Sequence, residues 1–221
     1  MEVDHSIGMV VRKLKTPGIT LSDETDLDLN AASPFDLPRI ERAVREILLA
    51  IGDDPDREGL ALTPQRVARS FAELFSGLGE DPRRHLQVTF DEQHREMVVL
   101  RDIPFASACE HHLLPFTGRA HIGYIPQGRV VGLSKLARVV EGYARRPQVQ
   151  ERLTSEIADA IMDEVQPDGC GVVIEAVHTC MTIRGIRKPG STMITSAMRG
   201  GFRRRPETRA EFLSIIRAGR E

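Results

Sequence analysis

The chain has 221 residues, of which 41% are hydrophobic and 28% charged, and this suits one soluble globular domain with a possible appendage. A formal net charge of −2, an aromatic fraction of 5% and the lack of tryptophan argue against a nucleic-acid partner. No segment has the apolar length of a membrane span and the first residues lack a secretory core, so we expect a cytoplasmic protein without a membrane partner.

The first part of the chain predicts an extension followed by two helices. Residues 1–35 are polar, acidic in the middle and interrupted by Ser33–Pro34, which is typical of a flexible N-terminal extension. An amphipathic helix is predicted from an N-cap at Asp36 to Gly52. A second begins at Thr63–Pro64, with Thr63 as its cap. Two helices with a short connection predict a helical hairpin over residues 36–80.

The pattern changes after residue 80 to short segments rich in β-formers. EMVVLRDIPF, TGRAHIGYIP and GRVVGL predict strands, Ser134 is expected to cap a helix, and Pro147 to start a second long helix. GCGVVIEAVHTCMTIRGI predicts one long strand with STMITSAM as its hairpin partner, and a last helix is expected from Pro206. Paired strands with helices clustered between them predict an α+β fold with an antiparallel sheet and helices on one face.

The stretch SACEHHLLPF, residues 107–116, suggests a metal site. Cys109 and His112 are three residues apart, and zinc accepts both thiolate and imidazole. Taken alone, this pair fits equally a reduced cysteine packed beside a loop histidine. The segment HTC adds His178 and Cys180, which would share one face of the predicted strand.

Three cysteines in a reducing compartment indicate metal binding or chemistry rather than disulfides. The set Cys109, His112 and Cys180 leaves one position open, as in catalytic zinc sites, where a bound water has a pKa of about 7.

The neighbouring residues admit two interpretations each. His111 and His178 suit general acid–base catalysis near neutral pH, but either could be a histidine satisfied by ordinary hydrogen bonds. If His112 binds metal, His111 is expected to point elsewhere. Glu110 could orient a ligand imidazole or could be a solvated carboxylate.

Two further groups suggest a substrate. Ser134 at a helix start and nearby basic residues suit a polyphosphate, although each cation alone fits a solvated surface; the basic residues are Arg66, Arg69, Lys135, Arg138 and Arg184. Gln150 and Glu151 lie in the first turn of a helix, where the dipole alone favours a carboxylate. Glu151 could instead accept two N–H bonds from guanine, and spacing does not decide between these roles.

Four segments, in order, resemble GTP cyclohydrolase I: CEHHLLPFTGRAHIGYIP, VVGLSKLARVVEGYARRPQVQERLT, GVVIEAVHTCMTIRGI and TRAEFL. The resemblance covers roughly residues 38–220. It implies hydrolysis of GTP to formate and 7,8-dihydroneopterin triphosphate, the first step toward tetrahydrofolate or related pterins. It also implies a tunnelling-fold catalytic domain over residues 81–221, and a homodecamer of two pentamers with sites at subunit interfaces.

The resemblance assigns a role to each candidate by its position. Cys109, His112 and Cys180 match the family's zinc ligands, and His111 and His178 match its catalytic histidines. Residues matching those that hold the triphosphate are Arg66, Ser134, Lys135, Arg138 and Arg184. Gln150 and Glu151 match the guanine-recognition turn, and Ser134 is also expected to assist the later proton transfers.

Two rival functions remain at the level of sequence. A zinc-dependent purine deaminase usually shows C-x-x-C with a nearby H-x-E element, and no C-x-x-C occurs here. A zinc-stabilised oligomer or nucleic-acid module without activity is disfavoured by three rather than four ligands and by the nearly neutral charge.

Overall fold

The structure is a computed structural model that describes residues 35–219. The predicted N-terminal extension, residues 1–35, therefore lies outside the described residues except for its last residue. Within the described range, no helix is both long and apolar enough to cross a membrane.

Helices α1 and α2 form the expected pair. Helix α1 spans Leu37–Ala50, and the Asp36 side chain accepts a hydrogen bond from the Arg39 N–H, as predicted for its N-cap. Helix α2 spans Thr63–Leu74, but its N-cap is Leu62, so the expected cap at Thr63 is wrong by one residue. A 3₁₀ turn, Ser76–Gly79, then joins the pair to the rest of the chain through a Gly77 N–H bond to the Arg145 carbonyl.

A five-stranded sheet forms the centre of the protein, in the order β5-β2-β3-β6-β7. Its long strands are β2 (Val98–Cys109), β3 (Pro115–Ile125), β6 (Gly169–His178) and β7 (Met193–Gly200), and each pairs with its neighbours antiparallel. The two-residue strand β5 (Pro147–Gln148) is parallel to the end of β2. A separate small ribbon pairs β1 (Thr89–Asp91) with β4 (Arg129–Val131).

Two long helices cover one face of this sheet. They are α3 (Leu133–Ala144) and α4 (Gln150–Val165), and their apolar residues join those of the sheet in one core. Alternate residues of β6 point into this core, among them Val172 and Ile174. The α+β fold with an antiparallel sheet is therefore confirmed.

The C-terminal helices add packing on the second face. Helices α6 (Gly201–Arg204) and α7 (Pro206–Arg217) bring Phe202 and Phe212 against Val173, which points away from the first core. The phenyl rings meet edge to face with centroids 5.5 Å apart. The sequence-based start of the last helix at Pro206 is confirmed.

Three predicted boundaries near the candidate site are wrong. Ser134 does not cap α3, because Gly132 is its N-cap and Ser134 lies in the first turn. Pro147 belongs to β5, and α4 begins only at Gln150. The long strand predicted through residue 186 ends at His178, and Thr179–Thr182 form one helical turn, α5. Since His178 and Cys180 are not on one strand, their expected placement on a common strand face is also wrong.

Candidate active site

The sheet topology brings the two cysteine segments together. Strand β3 lies between β2 and β6 and runs antiparallel to both, so the C-terminal ends of β2 and β6 meet beside the start of β3. Ala108 pairs with Pro115, and Phe116 pairs with His178. Cys109 ends β2 and Cys180 follows β6 by two residues, so the topology delivers both thiols to one edge of the sheet.

The three predicted metal ligands converge in space. The ligand atoms of Cys109, His112 and Cys180 all lie within 4.8 Å of one another. In a tetrahedral zinc site with Zn–S of about 2.3 Å and Zn–N of about 2.0 Å, donor atoms are roughly 3.5–3.8 Å apart. Shifts of about 1 Å would therefore close this group around a zinc ion.

The chemistry of the donor set also fits a cation. Burial is the main cause that raises the pKa of the Cys180 thiol, followed by the neighbouring Cys109 thiol, while the positive charge of Arg184 acts in the opposite direction. Cys109 itself is buried. Binding a metal ion would require both thiols as thiolates, with their protons released on binding.

His111 does not point away from the metal group as expected. Its Nδ1 lies 3.9 Å from the Cys109 Sγ, the same distance as the Nδ1 of His112. The two imidazole rings are nearly perpendicular, with an interplanar angle of 82°. The His111 side chain is 65% exposed, so it remains accessible to a substrate above the metal group.

His178 is held by two contacts. Its ring stacks on Phe116, with centroids 4.4 Å apart and planes 6° from parallel. Its Nε2 lies 2.8 Å from the Oε1 of Gln150. Burial lowers the pKa of His178, while the carboxylate of Glu151 acts to raise it. Glu151 and His178 therefore lie near enough to interact.

Gln150, which the resemblance places in the guanine-recognition turn, is buried, and its side chain bonds within the chain. Its Nε2 approaches the carbonyls of Ile174 and Met193 at 3.0 and 3.1 Å and the Thr195 Oγ1 at 3.1 Å. The amide oxygen is thus left to accept from His178 Nε2, which identifies Nε2 as the protonated ring nitrogen. The Gln150 side chain orients His178, whereas the side chain of its neighbour Glu151 is exposed.

The predicted phosphate residues form a separate group. Burial lowers the pKa of His85, and the positive charges of Arg84, Arg138 and Lys135 lower it further, so these cations gather around the start of α3. The sequence predicted Lys135 and Arg138 as phosphate residues but gave no signal for Arg84 and His85. These two lie in a 3₁₀ turn, Pro82–Leu86, far earlier in the chain.

Among the predicted phosphate residues, Arg184 lies near the Cys–His–Cys group, because its charge acts on the Cys180 thiol. Among residues 35–219, no hydrogen bond or ion pair links Arg66, Ser134, Lys135 or Arg138 to that group, and Ser134, Arg138 and Arg66 are exposed.

The family profile described as GTP cyclohydrolase I matches residues 40–217, which is most of the chain. The chain belongs to the GTP cyclohydrolase I family. The expected tunnelling fold follows from this membership, and the curled mixed helix-and-sheet architecture agrees with it.

Curated relatives named GTP cyclohydrolase 1 share about three-fifths of their residues with this member of the family. One from Dehalococcoides mccartyi (strain ATCC BAA-2100 / JCM 16839 / KCTC 5957 / BAV1) is 62% identical over 82% of this chain and 97% of its own length. One from Rhodopirellula baltica is 61% identical over 97% of this chain and 96% of its own. One from Thermobifida fusca is 60% identical over 87% of this chain and 94% of its own.

One solved structure has a distant likeness to this GTP cyclohydrolase I family member. The apo form of the archaeosine synthase QueF-Like matches 48% of the chain with 20% identity and a TM-score of 0.40. An overlap of that size carries no conclusion.

Proposed function

We propose that this protein is a GTP cyclohydrolase I, which hydrolyses GTP to formate and 7,8-dihydroneopterin triphosphate, the first step of tetrahydrofolate or pterin biosynthesis. The observation that carries this proposal is the convergence of Cys109, His112 and Cys180 beside two histidines, on a chain that belongs to the family. Zn²⁺ is the metal that best suits two thiolates and one imidazole.

The protein residues have separate tasks around this metal. A zinc ion held by the three ligands would supply a Lewis acid that activates water near neutral pH. His178, once protonated on Nδ1, would give that proton to N7 of guanine, which makes C8 electrophilic, while its Nε2–H stays bonded to Gln150. Its half-buried ring is fixed by Phe116 and Gln150, so little reorientation is needed at the reaction step. His111, exposed beside the metal group, is placed for the later proton transfers.

The protein would bind GTP at two places, its guanine base and its triphosphate. Glu151 is exposed at the first turn of α4 and would accept from N1–H and the exocyclic amino group of guanine. Ser134, Lys135, Arg138, Arg184 and Arg66 would hold the triphosphate, with Ser134 also assisting proton transfer. Binding at both ends positions the imidazole ring of guanine over the metal group.

The oligomer is proposed from the family resemblance, which implies sites at subunit interfaces. Lys135 and Arg138, whose charges act on His85, would then reach the substrate from a second copy of the chain. We propose a homodecamer, formed as two stacked pentamers, with each site shared between subunits. Three free thiols suit the reducing cytoplasm, where we place the reaction.

A product assay tests the function directly. Incubating the zinc-loaded protein with GTP should release formate and, after oxidation, a fluorescent pterin. Ammonia in place of formate would indicate a deaminase instead, and a protein that binds zinc but forms no product would be a binding module.

Replacing Glu151 with alanine should weaken GTP binding by roughly 10²-fold, because two hydrogen bonds to a charged group are lost. The dissociation constant can be measured by calorimetry on zinc-stripped protein, which does not turn GTP over. If Glu151 serves only the dipole of α4, this variant would instead lose about 0.3–1 kcal/mol of stability and keep its affinity for GTP.

Replacing Gln150 with alanine should lower the rate of catalysis rather than the affinity for GTP, the opposite of the Glu151 variant. Because its side chain bonds to His178 and to the sheet, we expect kcat to fall about 10–100-fold while the GTP dissociation constant changes little. A large loss of GTP affinity with kcat preserved would return Gln150 to guanine recognition. The comparison with the Glu151 variant, one residue away, controls for damage to the helix start.

A further inference from the structure

The turn that carries two of the three proposed metal ligands is held to other elements by few bonds. We call residues 109–113 the ligand turn. Its backbone closes on itself, with the Leu113 N–H donating to the Cys109 carbonyl at 2.8 Å, and it is attached to β5 by the Glu110 N–H, which donates to the Gln148 carbonyl at 3.0 Å. Leu113 is in the left-handed region at φ 54°, and His111, His112 and Leu113 are exposed. Glu110 is the member of positions 110–113 whose side chain attaches the turn to α4.

This side-chain attachment is a bidentate ion pair with Arg152. The two terminal nitrogens of Arg152 donate to Glu110 Oε2 at 2.6 Å and to Oε1 at 3.1 Å. This fork-to-carboxylate geometry fixes both the distance and the plane of the two groups.

Arg152 lies in the first turn of α4, together with Gln150, which contacts the proposed acid His178, and Glu151, which is proposed to bind guanine. Gln150 is tied to β6, β7 and His178, whereas Arg152 is tied to the ligand turn. Glu151 lies between these two attachments. The first turn of α4 thus contacts both segments that carry the site residues. These segments are the end of β2, with Cys109, and the end of β6, with His178.

We propose that Arg152 is a positioning residue, whose bidentate pair with Glu110 holds the ligand turn against the first turn of α4 and so preorganises Cys109 and His112 for the metal. This inference rests on the zinc site of the proposed function. A ligand turn without the pair would have to be ordered when the metal binds, and that cost would appear as weaker metal binding. Partners that orient ligands in this way typically contribute 10–100-fold to metal affinity or activity.

A purely electrostatic role of Arg152 predicts the opposite change in zinc affinity, so the experiment distinguishes the two roles. Arg152 is a cation beside a cation site, so its removal alone would strengthen zinc binding. Loss of positioning would weaken it. Lysine keeps the charge but cannot form the bidentate fork, so Arg152→Lys separates geometry from charge, and Arg152→Gln removes both.

The test is a zinc affinity measurement by chelator competition on the full-length wild type and on the Arg152→Lys and Arg152→Gln variants. We expect both variants to bind zinc about 10-fold more weakly than the wild type, with melting temperatures of the zinc-free proteins within a few degrees of the wild-type value. Glu110→Gln in the Arg152→Gln background should cause little further loss, because the pair has already been broken.

A matched control is available in the helical hairpin. Arg45 makes a similar bidentate pair with Asp56, at 2.7 Å for both bonds, so Arg45→Lys should leave zinc affinity unchanged. Zinc affinity that is unchanged or higher in the Arg152 variants would overturn the proposal, as would a wild-type chain that binds no zinc. Absence of formate release from a wild type that does bind zinc would count against the proposed function and leave this inference intact.

Discussion

Replacing Cys180 with alanine should strip the protein of zinc and lower formate release from GTP by at least about 10³-fold. Cys180 is one of the three proposed ligands found among the described residues, and its thiol is brought to Cys109 by the helical turn that follows β6. Without it, a Cys–His pair on an exposed turn is left to hold the ion. Loss of the metal removes several kcal/mol of transition-state stabilisation, which corresponds to the expected loss of rate.

Cys170 provides the control for this experiment. It is fully buried, its Sγ donates to the Ala158 carbonyl at 3.4 Å, and burial raises its pKa to about 12, so it is not a ligand. Cys170→Ala should therefore keep one zinc per chain and nearly full activity. Elemental analysis after dialysis measures the metal in both variants. One zinc per chain in Cys180→Ala, together with normal turnover, would contradict the ligand assignment.

Secondary structure followed from local pattern where each element has its own signal. The proline and cap residues around α1 and α7 and the β-formers of β2, β3 and β7 predicted those elements correctly. The division into a hairpin at 36–80 and a catalytic domain at 81–221 stays a prediction.

The errors fall where long-range pairing decides the local structure. The segment after His178 is rich in β-formers, but β3 begins at Pro115 and β7 pairs with β6 only as far as Ala176. No neighbouring strand of the sheet extends beyond His178, so the chain turns into α5. Pro147 was misplaced for the converse reason, since residues 147–148 pair with the end of β2 before the helix starts.

The convergence of Cys109, His112 and Cys180 could be predicted because thiolate and imidazole spacing has a chemical meaning in sequence. Their supporting contacts could not. Arg152 and Glu110 are 42 positions apart, and either residue alone is typical of a solvated surface. The sequence left Glu110 open between orienting a ligand imidazole and being a solvated carboxylate, and in the structure this carboxylate forms a bidentate ion pair with Arg152. Phe116 lies in the same motif as the ligands, and only its pairing with His178 reveals that it supports that ring.

Replacing His178 with alanine should reduce kcat by about 10²–10⁴-fold, the usual contribution of a general acid or base, while zinc content and GTP affinity stay close to those of the wild type. This expectation follows from the position of the His178 ring. The ring lies two residues from a metal ligand, is oriented by Phe116 and Gln150, and is near the carboxylate proposed to hold the base. The measurement is single-turnover formate release, with metal analysis and GTP calorimetry on the same sample.

The same substitution opens space beside Phe116, so the folded state needs its own check. Circular dichroism melting would detect a structural loss, and His178→Gln, which keeps more of the side-chain volume, should be equally slow if proton transfer is the missing function. His94, an exposed histidine between β1 and β2, supplies the control, and His94→Ala should retain full activity. Full activity in His178→Ala would refute the role of His178 and leave His111 as the remaining imidazole beside the metal group.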